Sequence, residues 1–300
     1  GALIKEKIKH ERPAGMQAFV FNTRREMFKD PNVRLALNYA FDFEWTNENL
    51  FFSQYSRNSS YFQNSELASS GLPSPEELDI LNPFKAQLPA NVFDEAYTVP
   101  NTSKPNSIRK NLRKSIKLLK AAGWAVKDNQ LIHTKTAKVF SFEFLIRSSG
   151  FERVIQPFIK NLEKLGIKAS IRLVDTSQYI NRQRSFDFDV ILASFGQSNS
   201  PGNEQREYWH SSKVDTVGSR NLPGISHPVI DKLIDLIITA PSRQALITRT
   251  RALDRVLLAG NYVLPNWYVP ADRVAYTKHL SKPDITPKSG VDIDSWWFSK

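Results

Sequence analysis

The order of segments between residues 139 and 195 constrains this chain more than any other feature. Val139–Ile146 alternates like a strand, and Phe151–Leu165 carries a helical apolar stripe closed by Gly166. Ile167–Val174 alternates again, Thr176–Arg184 reads as a second helix, and Phe188–Phe195 as a third strand. A β-α-β-α-β order calls for a parallel or mixed sheet with right-handed crossovers and helices on its faces. Ligands of such sheets bind beyond the carboxyl ends of the strands. Here those ends are Arg147, Asp175 and the run from Phe195 to Asn203.

The flanking segments fit an α/β chain. Residues 16–22 (MQAFVFN) read as a strand. Asp30-Pro31 then opens a helix, with Asp as N-cap and Pro in its first turn. Val33, Leu37, Ala40 and Phe41 form that helix's buried stripe, and a short helix follows near Trp45–Phe52. Residues 53–105 are rich in Ser, Asn and Pro, with one short helix beginning at Ser74-Pro75. So long an irregular stretch in a compact domain has a purpose. A basic helix spans 107–122, with Leu112, Ile116 and Leu119 expected inside and Gly123 as its stop. Asp128-Asn129 marks a hairpin turn. Two helices (Pro228–Thr239 and about Arg243–Leu258) and a strand over Val263–Val269 follow. The last 30 residues are expected to be irregular, with Trp296-Trp297 seeking a surface in another domain.

Several chemistries lack their residues. There is no cysteine, which removes thiolate chemistry and is compatible with export. His10, His133, His210, His227 and His279 form no i, i+4 metal pair. No phosphate-binding glycine loop or nucleophile elbow occurs. No apolar run reaches the roughly 18 residues needed to cross a membrane. The formal charge of +11 admits binding to an anionic membrane or to nucleic acid, through the basic helix that carries Arg109, Lys110, Arg113, Lys114, Lys117 and Lys120. That helix lacks interleaved exposed aromatics, so a solvated face is the simpler reading. A carboxylate hydrolase is a second alternative, using Asp187 or Glu204. Asp187 and Asp189, however, flank Phe188 at the beginning of a strand rather than at its functional end.

The stretch Ser200–Trp209 (SPGNEQREYW) is the most unusual. Pro-Gly sets a turn and polar residues then start a short helix at a strand's carboxyl end, where first-turn amides could receive a ligand's carboxylate or peptide bonds. Ser200, Asn203 and Glu204 are therefore candidate contacts. The many aromatics in loop-like stretches suggest side-chain pockets, with Trp45, Tyr55, Tyr61, Phe195 and Trp209 as candidates.

The segment FVFNTRREMFKDPNVRLALNYAFDFEW (Phe19–Trp45) resembles a mark of the extracellular solute-binding proteins of family 5, the large peptide-binding proteins of ABC importers. FERVIQPFIKNLEKLGIKASIRLVD and FDFDVILASFG resemble the core of their second lobe. SNSPGNEQREYWHSS, GSRNLPGISHPVIDKLID and RTRALDRVLLAGNYVLPNWY are similar to the Yej-type subgroup, linked to uptake of oligopeptides and peptide antibiotics. The resemblance implies a mixed sheet flanked by helices, forming the second lobe of a bilobal, type II (cluster C) periplasmic binding protein. Members are about twice this long, so the chain looks like a C-terminal half. Residues 1–15 would end the first lobe, 16–264 form the second, and 265–300 return to the first.

The implied role is capture of peptides or peptide-like compounds in the periplasm for a membrane permease, with no catalysis. The implied partners are the ligand, the permease subunits and the missing first lobe, with no nucleic acid and no cofactor. The resemblance marks Asn22, the Asn after the first strand, as a candidate contact. It places Arg147 near an Arg that receives the ligand carboxylate in dipeptide binders. Where relatives anchor the ligand's α-ammonium with an Asp, this chain has the neutral Gln197, so the anchor would be altered unless Glu204 substitutes.

Overall fold

The computed structural model describes residues 3–299. Its strands are β1 (Leu3–Lys9), β2 (Met16–Phe21), β3 (Ser56–Arg57), β4 (Trp124–Lys127), β5 (Gln130–His133), β6 (Ser141–Ile146), β7 (Lys168–Leu173), β8 (Val190–Phe195), β9 (Val263–Pro265), β10 (Trp267–Tyr268), β11 (Ala271–Thr277), β12 (Leu280–Ser281) and β13 (Trp297–Phe298). Its α-helices are α1 (Pro31–Ala40), α2 (Phe43–Phe51), α3 (Pro75–Leu81), α4 (Asn91–Asp94), α5 (Ile108–Ala121), α6 (Glu152–Glu163), α7 (Thr176–Arg184), α8 (Glu204–Trp209), α9 (Pro228–Ile238) and α10 (Arg243–Ala259).

A five-stranded sheet in the order β7-β6-β8-β2-β9 forms the centre. β6 runs parallel to both β7 and β8, as the β-α-β-α-β order requires. β2 lies antiparallel between β8 and β9, so the sheet is mixed. Side chains alternate across it. Phe19 and Phe21 of β2 enter one core layer, while Met16, Ala18 and Val20 enter the other. The first layer is covered by α1, α5, α6 and the β4–β5 hairpin. The second is covered by α9, α10 and residues from the 53–105 segment such as Tyr61, Phe62 and Leu88.

Aromatics fill the first layer. Phe19, Phe142 and Phe158 meet Phe144 with ring centroids 5.2–5.7 Å apart, two of the pairs edge to face. Such geometry sets the positive ring edge against a negative face. Much of the aromatic content that suggested ligand pockets is core.

Local chemistry sets the element ends. The Asp30 carboxylate accepts from the Asn32 amide at 2.8 Å and Pro31 occupies the first turn of α1. Asp175 caps α7 through the Gln178 amide at 2.9 Å. Asp128 and Asn129 both have positive φ, as a two-residue hairpin turn needs. Gly166 has φ +78°, and a Cβ there would lie 2.8 Å from the Leu131 nitrogen. Only glycine lets the end of α6 approach the hairpin so closely.

Two expectations are corrected. Ile116 is 46% exposed, and the inner face of α5 runs through Asn111, Ser115 and Leu119 instead. The Ser115 hydroxyl donates to the Ala36 carbonyl at 2.8 Å, so small and polar residues bring α5 against α1 where an apolar stripe was expected. The C-terminal segment is not wholly irregular. β11 pairs antiparallel with β1 over seven residues, forming a ribbon outside the five-stranded sheet. The alternation in Leu3–Lys9 (LIKEKIK) was its signal. Trp296 packs on Tyr276 at 4.8 Å, and Trp297 is half-exposed.

Candidate ligand-binding groove

Two adjoining cavities open at the carboxyl ends of β6 and β8. One, of about 640 Å³, is lined by Arg147, Ser148, Tyr179, Arg184, Ser194 and Arg220 among others. The second, of about 680 Å³, includes His10, Arg12, Tyr55, Arg153, Trp267 and Tyr268. Gln17, Ser148, Phe151, Ser194 and Phe195 line both, so the two form one groove. The topology explains its place. Where neighbouring parallel strands end, their connections diverge to opposite faces and leave a crevice. The antiparallel register sets Gln17 of β2 beside Ser194 of β8, bringing a residue from the beginning of one strand to the end of another.

The electrostatics of the groove are one-sided. Arg147, Arg153, Arg184 and Arg220 line it, and none of these guanidinium groups has a carboxylate within ion-pair distance among the described residues. Arg147 sits 5.5 Å over the Tyr179 ring and Arg220 sits 4.5 Å over Tyr208. The Tyr179 hydroxyl donates to the Leu192 carbonyl at 2.5 Å, and burial pushes its phenol up to about 12, so it remains a neutral donor. Arg12 is matched by Asp272 at 2.5 Å.

The candidates separate into three groups. Arg147, Tyr55 and Phe195 line the groove, although Phe195 is itself buried and packs on Trp209 at 4.5 Å. Gln197, Ser200, Asn203 and Glu204 lie on the segment after β8 and line neither cavity. Gln197 accepts from Gln205 Nε2 at 2.7 Å, while its own buried Nε2 has no partner among the described residues. Glu204 Oε1 accepts from the Gly202 amide at 2.9 Å, so its carboxylate already occupies the donor at the start of α8.

The third group is corrected outright. Tyr61 and Trp209 are fully buried, packed on each other at 5.0 Å, with Trp209 Nε1 donating to Gln205 Oε1. They build the wall behind the groove and present no face to a ligand. Asn22 is 1% exposed and donates to the Phe186 and Phe188 carbonyls at 3.0 and 2.8 Å. Because β2 is antiparallel to β8, the end of β2 lies at the beginning of β8, opposite the groove. Asn22 therefore clips the sheet's far edge. Trp45 is 43% exposed on α2 and lines neither cavity.

The groove also contains residues that the sequence reading missed: Gln17, Ser148, Phe151, Tyr179, Arg184, Ser194 and Arg220. Ser148 and Ser194 adjoin strand ends already marked and were within reach of that argument. Gln17, Arg184 and Arg220 needed the register and the return of a distant loop. Asp187 and Asp189 line neither cavity and lie just before β8. They pair with Arg25 at 3.1 Å each, and Asp187 pairs with Arg182 at 3.2 Å. Burial raises the Asp189 carboxyl, with the Glu143 amide and Arg25 opposing.

Residues 2–216 match the bacterial extracellular solute-binding proteins, family 5 (middle), and the chain belongs to this family. It is 48% identical over 286 residues to a probable peptide-binding protein YejA of Agrobacterium fabrum, covering 95% of this chain and 47% of that protein. It is 39% identical over 297 residues to the uncharacterized protein YejA of Escherichia coli, covering 99% and 49% respectively. The chain thus spans about half the length of these relatives. The fold is that of the type II periplasmic binding proteins. It is similar to the oligopeptide-binding protein AppA of Bacillus subtilis in complex with a nonapeptide, with a TM-score of 0.70 at 19% identity, covering 100% of this chain and 53% of that one. The family is one of transporter solute-binding proteins rather than enzymes. No helix among the described residues is long and apolar enough to cross a membrane.

Proposed function

We propose that this chain is the C-terminal half of the substrate-binding component of an ABC importer. The whole protein would capture oligopeptides or peptide-like compounds in the periplasm and deliver them to permease subunits. The observation that carries this reading is the groove at the ends of β6 and β8, in a chain of family 5. Residues 16–264 would form the second lobe together with Pro265 of β9 and the buried Trp267 of β10, which moves the expected boundary at 265 past β10. Residues 1–15 and the chain beyond β10 would belong to the first. The β1–β11 ribbon, outside the main sheet, supports that division. A ligand between the lobes would favour the closed state by its greater affinity for it.

Arg147, Tyr55 and the backbone around Phe195 are retained as proposed contacts, joined by Gln17 and Ser148. Gln197, Asn203 and Glu204 are proposed to reach a ligand only where it extends past the groove. The test is calorimetry on the full-length protein with a peptide recovered from it by native mass spectrometry. Gln17→Ala combined with Ser148→Ala removes two hydrogen-bonding side chains and is expected to weaken binding roughly tenfold. Unchanged affinity would sink this placement, and a protein that neither carries nor binds peptide would sink the function.

A further inference from the structure

The wall of the 640 Å³ cavity carries three guanidinium groups, Arg147, Arg184 and Arg220, and no acidic side chain. Several arginines elsewhere in the chain are matched to acids. Arg12 pairs with Asp272, Arg25 with Asp187 and Asp189, Arg182 with Glu143 and Asp187, and Arg206 with Asp235. Arg147, Arg184 and Arg220 have neither an ion pair nor a side-chain hydrogen bond to any described residue, and all three are exposed to one shared cavity. Arg153 in the adjoining cavity shares this state, lying 5.6 Å over the Phe51 ring.

Such an arrangement is tolerable while water fills the cavity. Like charges around one small volume repel, and removing water from them without counter-charge is unfavourable for each ion. A guanidinium is also the side chain best shaped to bind a planar carboxylate through two parallel hydrogen bonds. The cavity lining adds neutral donors but no competing acid: Gln17, Ser148 and Ser194. Gln197, which follows the groove-lining Gly196, is neutral and adds no negative charge there.

We infer that this lobe selects polyanionic peptides: ligands carrying several carboxylates along the stretch that meets Arg147, Arg184 and Arg220. This deepens the proposed function and rests on it. It goes beyond the single terminal carboxylate that the family resemblance assigns near Arg147, because Arg184 and Arg220 come from the end of α7 and from the loop before α9. Side-chain carboxylates are the expected partners of those two.

The test uses the full-length protein and three alanine-based hexapeptides of one length, carrying two Glu, two Gln or two Lys at the same positions. Titration calorimetry is expected to give the order Glu, Gln, Lys. The step from Gln to Glu should be roughly tenfold for each carboxylate that meets a guanidinium. The Glu peptide should also lose affinity more steeply with added salt. Arg184→Gln with Arg220→Gln should collapse the Glu-over-Gln ratio, with thermal melting used to check folding. The peptide series on the unaltered protein decides the matter if that variant does not fold. Equal binding of Glu and Gln peptides, or tighter binding of the Lys peptide, overturns the inference and leaves peptide binding standing. Failure of all three to bind overturns the peptide reading and the inference together.

Discussion

Two stretches of similar length are held in place by different physics. Residues 139–195 form β6, α6, β7, α7 and β8, whose apolar residues recur at strand and helix spacings and meet across the sheet. Residues 53–105 contain only short pieces of regular structure, yet Tyr61, Phe62, Leu67, Leu81, Leu88 and Val92 are buried. Two consecutive charged residues of α10 anchor that segment. Asp254 is fully buried and accepts from the Ser60 hydroxyl, the Tyr61 amide and the Ser69 amide and hydroxyl at 2.7–2.9 Å. Arg255 pairs with the buried Glu77 and donates to the Ser70, Gly71 and Leu72 carbonyls. A repeating pattern holds one stretch, and two point anchors hold the other.

The largest expected effect removes an anchor. Arg255→Ala leaves Glu77 buried without its partner and three loop carbonyls without their donor, which should destabilise the protein by about 3–5 kcal/mol. Hydrogen exchange should show the loss of protection concentrated in residues 53–105, with β6 to β8 much less affected. Uniform loss over both stretches would break the contrast. Ile191→Ala in β8 is the counterpart. Ile191 is fully buried, and its truncation should cost about 2–5 kcal/mol by leaving a cavity. Here the sheet strands should lose protection together, because the apolar pattern is shared among them.

The same contrast accounts for what was legible. The βαβαβ order, the helix starts at Asp30-Pro31 and Ser74-Pro75, and the turn at Asp128-Asn129 are local signals within a few residues, and each fell close to its expected place. The direction of the strands followed, and with it the edge that carries the groove. The partners of Asp254 and Arg255 did not follow, since Arg255 and Glu77 are 178 positions apart. Nothing in either neighbourhood names the other. The site shows the same division. Arg147 was found because it follows a strand, whereas Gln17, Arg184 and Arg220 arrive through register and a loop's return. Asn22 was misplaced because its strand was not known to run antiparallel to β8. Tyr61 and Trp209 were misplaced because a large aromatic ring in a loop-like stretch reads alike whether it grips a ligand or fills a core.

The smallest effect concerns the other anchor and sharpens the comparison through pH. Burial raises the Asp254 carboxyl above its ordinary value, with the hydrogen bonds from Ser69, Ser60 and the Tyr61 amide opposing that rise. The folded state therefore retains this proton over an interval in which the unfolded chain has released it. The sign follows by linkage: the stabilisation is complete below the unfolded value and is lost as pH rises through the raised folded value. Asp254→Asn cannot titrate, and its amide faces donors where the carboxylate accepted, so it should be less stable at every pH. Its deficit relative to the unaltered protein should shrink as pH climbs through that interval. Urea midpoints for both proteins across the acid range measure the difference. A deficit that stays constant, or widens with pH, would mean that Asp254 keeps its charge in the fold without penalty. The irregular segment would then be held by hydrogen bonds strong enough to offset the whole cost of burying a carboxylate.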